Sequence, residues 1–174
     1  MLLDIGGATT DLHYTTDIIR EESAEKALFG SSVARYVFTD LGIVASRDST
    51  LLQLRGHPRL YDLLSRFTED HGIREMYKAL REGEFEPSPR LLSYAGLFLA
   101  LDRFANGTTP GIPSADLTNV AQILLTGGAS QILDVSVASR VVDLFVCGQG
   151  NPRVLIDRSY WIWVDGMTSS ALHR

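Results

Sequence analysis

The sequence predicts a mixed α/β fold in which a β-sheet opens with a hairpin and is covered by helices. Three observations predict it. An apolar run over residues 1–6 enters Gly6-Gly7 and is followed by "TTDLHYTT" (9–16), rich in β-branched and aromatic residues. From about Leu60 the apolar period lengthens to three and four residues, as on one face of a helix. The last third then reads strand, Gly-Gly turn, helix, strand, helix. That order sets glycine turns at strand ends, where α/β folds bind their ligands.

Each element has its own warrant. Residues 1–6 and 9–16 pair as the hairpin, and "VARYVFTD" (33–40) offers a third extended segment. Leu60, Leu63, Leu64 and Phe67 fall at i, i+3, i+4 and i+7; Ile73, Met76, Tyr77 and Leu80 repeat that spacing after an expected break at Gly72. "EGEFEPSPR" (82–90) stops the second of these helices, and Ser88 precedes Pro89 as an N-cap precedes a first-turn proline. The helix from 89 to about 105 is apolar on nearly all sides, which suits a helix sandwiched between layers. Residues 57–105 therefore read as a helical insertion.

"NGTTPGIPSAD" (106–116) is a loop by composition, and "NVAQILLTGGAS" (119–130) is a buried strand running into the second Gly-Gly turn. Ile132, Leu133, Val137, Val141, Leu144 and Phe145 make a helical stripe closed by "GQGNP". "RVLIDRS" is one more short strand, and the tail 159–173 is expected to be helical. There is no internal repeat. At 174 residues and 45% apolar composition the chain suffices for one substantial core, so a single domain over 1–174 is expected.

Composition narrows the function. A net charge of -5 without a Lys/Arg cluster lacks the electrostatic footprint of phosphate-backbone binding, which argues against nucleic acid as a partner. The longest mostly apolar run, "LLSYAGLFLAL" (91–101), is about half of the ~20 residues that span a bilayer, which argues against a membrane span. No basic-then-apolar leader opens the chain. The lone Cys147 can make neither an internal disulfide nor a zinc site and reads as inert packing. A cytoplasmic protein is the expectation.

The chemistry lies in the two Gly-Gly turns. A polyphosphate needs backbone N–H groups that can approach closely, hydroxyl donors, and a carboxylate for the metal that neutralises its charge. "DIGGATTD" (4–11) carries all three: Gly6, Gly7 and Ala8 for the turn, Thr9 and Thr10 for hydroxyls, Asp4 and Asp11 at the two strand ends. Two carboxylates facing each other across a hairpin repel unless a cation or a proton lies between them, a condition that hydrated Mg2+ meets. Gly-Gly between strands is also, by itself, an ordinary tight turn.

With these residues in view, "DIGGATTD" resembles the second phosphate motif of the ATPase superfamily of actin, Hsp70 chaperones and sugar kinases, and "ILLTGGAS" (123–130) resembles its adenosine motif. They occur in the family's order, about 110 residues apart. The variant "GGATTD" is similar to the MutL-type accessory proteins of glutamate mutase, a group related in function to the diol and glycerol dehydratase reactivases. "ARYVFTDLGI" (34–43) resembles that group's Arg-Thr-Val-Glu-Gly-Asp-Leu-Gly segment at Arg35, Val37, Asp40, Leu41 and Gly42. "LALDRFANG" (99–107) and "VLIDRSYWIWVDGM" (154–167) resemble its Arg-His-Ala-Gly helix end and its closing strand and helix. Phe38 and Thr39 stand where the group has Glu-Gly, and Phe104 where it has His.

The resemblance implies a ribonuclease H-like lobe of an actin-like ATPase that takes ATP or ADP with Mg2+. Gly6, Gly7, Ala8, Thr9 and Thr10 would meet the β- and γ-phosphates, and Asp11 would hold a metal-bound water or orient the attacking water. Asp4 would stand behind the metal. Gly127 and Gly128 would admit the nucleoside, with Ala129 and Ser130 opening the helix that follows. The family's first phosphate motif, an Asp-x-Gly hairpin, belongs to the preceding lobe, and no such hairpin stands before "DIGGATTD" here. The resemblance thus implies a second lobe beginning just before its first strand, with Met1 supplied artificially or by a shortened reading frame, and weak nucleotide binding without appreciable hydrolysis by the lobe alone.

The parent protein would be an ATP-dependent reactivating chaperone whose partner is an adenosylcobalamin-dependent mutase or dehydratase. A lobe of a small-molecule kinase or hydantoinase-like enzyme, or a scaffold lobe binding a partner through residues 57–105, are the other readings. For Asp4 a solvated strand-end carboxylate, and for Gly127 and Gly128 a plain strand-to-helix turn, stay open. His13 and His57 have no ligand neighbour at metal-binding spacing and read as ordinary residues. Trp161 and Trp163 read as packing or as an adenine wall, and "REESAEK" (20–26) reads as a solvated helix face.

Overall fold

The computed structural model describes residues 1–20, 33–57, 60, 71–82, 87–146 and 152–161. Its centre is a mixed five-stranded sheet. Strand β1 (Leu2–Ile5) pairs antiparallel with β2 (Thr10–Thr15), and β2 with β3 (Val33–Phe38). On its other side β1 runs parallel to β4 (Gln122–Thr126), which runs parallel to β5 (Arg153–Ile156). The spatial order is β3-β2-β1-β4-β5.

Period-two alternation decides the faces. Leu3, Ile5, Thr10, Leu12 and Tyr14 are buried, while Leu2, Asp4, Asp11 and His13 alternate with them and are only half-buried.

Among the described residues four α-helices accompany the sheet: α1 (Arg47–Gly56), α2 (His71–Glu82), α3 (Pro89–Asn106) and α4 (Val135–Asp143). Helix α3 lies on β1 and β2, and the other three pack against it. It starts as the sequence predicts, with Ser88 Oγ accepting from the Leu91 N–H at 3.2 Å and Pro89 in the first turn. It ends where Gly107 turns left-handed at φ +60°. Its near-continuous apolar surface is accounted for by this central place: residues 91–101, Phe104 and Ala105 are all buried. Phe104 sits 4.7 Å from the Tyr14 ring, centroid to centroid. Truncating such a residue to Ala costs about 3–5 kcal/mol.

The structure departs from the sequence reading in two places. Gly72 does not interrupt a helix; it is helical within α2 and lets that helix close on α3, since a Cβ there would lie 2.7 Å from the Tyr94 ring. Helix α1 was not foreseen, because its inward face is Thr50, Leu51 and Leu54 while Leu52 is 73% exposed, which breaks the apolar period. The segment 57–105 holds α2 and nearly all of the covering helix α3. Leu63, Leu64, Phe67, Cys147, residues 21–26 and the tail from 162 lie outside the described residues.

Candidate functional site

Strands β1 and β4 are parallel neighbours with Asp4 beside Thr126, so their carboxyl ends emerge together. The loop Gly6–Thr9 leaves one and Gly127-Gly128 leaves the other. They adjoin closely: a Cβ on Gly127 would lie 2.1 Å from Asp4 Oδ1 and 2.8 Å from the Ile5 carbonyl oxygen. Gly127 also has φ +81°, a conformation that side chains other than hydrogen rarely adopt.

Residues 6–9 are not a two-residue tight turn. Ile5 and Thr10 form the last strand pair, and the four residues between them close through a bond from the Gly6 N–H to the Thr9 carbonyl at 2.9 Å. A strap, residues 42–46, holds the loop by its carbonyls. Ile43 donates to Gly6 O at 3.1 Å, Val44 and Ala45 both donate to Gly7 O at 2.8 Å, and Ser46 Oγ donates to Ala8 O at 2.6 Å. In a planar trans peptide the N–H points opposite to the C=O, and no cis bond occurs here. The Gly7, Ala8 and Thr9 amides, which share those three peptide planes, therefore all point away from the strap. None has an acceptor among the described residues.

The strap is fixed by buried polar contacts. Thr10 Oγ1 donates to Leu41 O at 3.1 Å, and Thr50 Oγ1 accepts from the Gly42 N–H at 3.1 Å. Gly42 passes so close to the loop that a Cβ would lie 2.6 Å from Ala8 backbone atoms. Thr10 is fully buried and already donating, so it shapes the loop rather than meeting a ligand. Thr9 Oγ1 donates to Asp11 Oδ2 at 3.3 Å.

The two carboxylates are register partners in the hairpin, as the sequence implied. The cation beside Asp11 comes from the chain itself. Arg35 on β3 donates to Asp11 Oδ1 through Nε at 2.8 Å and also through Nη2. Asp4 has no hydrogen-bond donor among the described residues, and its pKa is raised, chiefly by desolvation and then by the charge of Asp11, against opposing pulls from His13 and Arg35. In its donor chemistry Asp4 fits a hydrated divalent cation, whereas Asp11 is taken by Arg35 in this conformation. No group of three or more metal-ligating side chains occurs among the described residues.

At the second Gly-Gly turn, Gly128 is exposed while Gly127, Ala129 and Ser130 are buried. Gly128–Gln131 form a 3-10 turn, and α4 begins only at Val135, with Asp134 accepting from the Ser136 and Val137 amides. The amino end of a helix is thus not at the loop, contrary to the sequence reading, because the chain first makes that short turn. Tyr160 Oη donates to the Gly127 carbonyl at 3.3 Å.

A second polar cluster escaped the sequence reading. Arg103 on α3 grips Asp40 with Nη1 and Nη2 at 2.9 and 2.8 Å and also donates to Gln53 of α1. Burial is the largest influence on Asp40 and pushes its pKa up, but the Arg103 hydrogen bonds and charge, with Gln53, override it, and the net direction is down. His57 Nε2 lies 3.0 Å from Asp102 Oδ2, beside a cavity of about 500 Å³ lined by both clusters. The chain separation of these partners, 63 residues for Arg103 and Asp40 and 45 for His57 and Asp102, leaves no local spacing to read.

Comparison with protein-family models, curated proteins and solved structures finds no match for this chain. No helix among the described residues is long and apolar enough to cross a membrane.

Proposed function

We propose that this chain is the nucleotide-binding second lobe, ribonuclease H-like, of an actin-like ATPase whose whole form reactivates an adenosylcobalamin-dependent mutase or dehydratase. One observation carries the nucleotide half: three successive outward amides, Gly7 to Thr9, beside the exposed Gly128 at the joined ends of two parallel strands. Fixed N–H dipoles of this kind bind anionic oxygen without needing a charged side chain. The amides would take phosphate oxygens, and Asp4 would hold hydrated Mg2+, which when bound neutralises charge on the phosphates. Asp11, gripped by Arg35, would fix the position of Thr9. The partner half rests on the likeness at residues 34–43, 99–107 and 154–167. Phosphoryl transfer to water needs electrostatic contacts from both sides of the phosphate chain, which one lobe does not supply.

Amide chemical shifts test the reading. Inorganic tripolyphosphate with Mg2+ is expected to move the Gly7, Ala8 and Thr9 resonances, and ADP to move Gly128 as well. Shifts confined to other surfaces, or none at roughly millimolar ligand, the weak end of the affinity scale, would overturn it. Co-precipitation of an adenosylcobalamin enzyme by the chain, with and without ATP, tests the partner half; capture of none in either condition would remove it.

A further inference from the structure

Four hydrogen bonds clasp the segment after β5 to the second Gly-Gly turn. Gln131 Nε2 donates to the Arg158 carbonyl at 2.6 Å, and Arg158 returns Nη1 to Gln131 O at 3.2 Å and Nη2 to Leu133 O at 2.8 Å. Tyr160 Oη on Gly127 O is the fourth. Asp157 folds the chain back just beyond β5, its Oδ1 accepting from the Ser159 and Trp161 amides at 3.2 and 3.3 Å. This tight return delivers Tyr160 at φ +55°, the one non-glycine positive φ among the described residues. A bulky aromatic residue is seldom held in that conformation. Such strain persists where the surroundings impose it, and it gathers at ligand sites.

The strain does not serve to bury the rings. Tyr160 is 42% and Trp161 66% exposed, and Tyr160 is bonded to the turn on which Gly128 is open to solvent. A polar clasp that fixes an aromatic side chain in water beside an open turn is built for something that arrives later. We propose that Tyr160, with Trp161 beside it, is the aromatic platform on which the purine base of the bound nucleotide stacks. This deepens the nucleotide reading and rests on it. Base stacking on an aromatic ring needs no hydrogen-bond partner on the base, so Tyr160 would set the preference for a nucleotide over a bare polyphosphate.

Calorimetric titration of the whole chain with Mg-ADP and with Mg-tripolyphosphate tests it, in the wild type, Tyr160→Leu and Tyr160→Phe. Tyr160→Leu is expected to weaken ADP about tenfold and leave tripolyphosphate unchanged, the size of one lost base-aromatic contact. Tyr160→Phe keeps the ring but loses the bond to Gly127, and should stay within about threefold of wild type for both ligands. Equal losses in both variants, or a parallel loss of tripolyphosphate, would mean that Tyr160 only holds the turn and would overturn the platform. Wild-type ADP binding unchanged in Tyr160→Leu would overturn it and leave the nucleotide reading standing. If the wild type binds neither ligand, both fall. Should Tyr160→Leu fail to fold, Trp163→Phe leaves Trp161 as the sole indole; its emission is expected to be quenched by ADP and not by tripolyphosphate, and equal response to both would overturn the platform.

Discussion

The chain uses the same dipeptide twice at the same end of its sheet, for different physical reasons. At the second turn, Gly127 is required: its φ is +81°, and a Cβ would overlap both Asp4 Oδ1 and the Ile5 backbone. At the first turn the dipeptide is far less constrained. A Cβ on Gly7 would meet nothing closer than Val44 Cγ2 at 3.5 Å, an ordinary contact. The residue that the first turn cannot do without is Gly42, 35 positions downstream on the strap, where a Cβ would lie 2.6 Å from the Ala8 carbonyl. One loop is held by what lies beneath it, the other by what crosses it. A loop gripped through its carbonyls leaves its amides outward. A glycine-rich motif therefore does not reveal which glycine is sterically necessary.

The largest expected effect breaks the second turn. Gly127→Ala places a methyl group against the Ile5 backbone in a region of φ that only glycine enters readily, and should cost at least about 3 kcal/mol. At this chain length that is a melting temperature lower by roughly 10 °C, read by circular dichroism. Gly42→Ala should cost less, about 2–3 kcal/mol, because its φ is unexceptional, although the methyl group would force the Gly7-Ala8 backbone to shift against the strap. Its signature is local: hydrogen exchange at the Ile43, Val44 and Ala45 amides, now bonded to the loop carbonyls, should accelerate. Gly7→Ala is the control, within about 1 kcal/mol of wild type. A Gly7→Ala loss as large as that of Gly127→Ala would remove the contrast.

This asymmetry marks the limit of what the sequence could supply. The hairpin, the third strand, the Ser88 cap, α3 and the strand-turn-helix-strand run after residue 119 were legible, since each depends on near neighbours: alternation, helical period, a cap and its proline. The nearness of the two Gly-Gly loops follows from β1 and β4 being parallel neighbours, a long-range pairing that the sequence expressed only through the resemblance. Helix α1 was missed because a buried threonine occupies its inward face. The strap was missed because its grip is backbone to backbone and has no side-chain signature. Arg35 was quoted among the residues that carry the resemblance, but its role was not, because facing Asp11 requires the register of β2 on β3. The same register accounts for the charge balance. Arg35, a guanidinium from the next strand, is bonded to one of the two hairpin carboxylates, Asp11.

The smallest effect concerns Asp4, where the two turns meet. Its pKa is raised by desolvation first and by Asp11 second. An acid whose folded pKa exceeds its unfolded one holds its proton more tightly in the folded protein. The folded state is therefore penalised as pH rises through the folded pKa, and the penalty is absent below about pH 4, the unfolded carboxylate value, where Asp4 is protonated in both states. Asp4→Asn removes the ionisation while keeping the shape beside Gly127. It should raise the melting temperature near pH 7 and lose that advantage as pH falls toward 4, as followed by thermal denaturation across the range. Mg2+ should reverse the order at neutral pH, stabilising the wild type and leaving Asp4→Asn unmoved, if Asp4 is the carboxylate that faces the metal. An Asn variant less stable than wild type at pH 7 without metal would mean that the Arg35 guanidinium already compensates both carboxylates. The hairpin's cation would then serve the two turns together, and not the first alone.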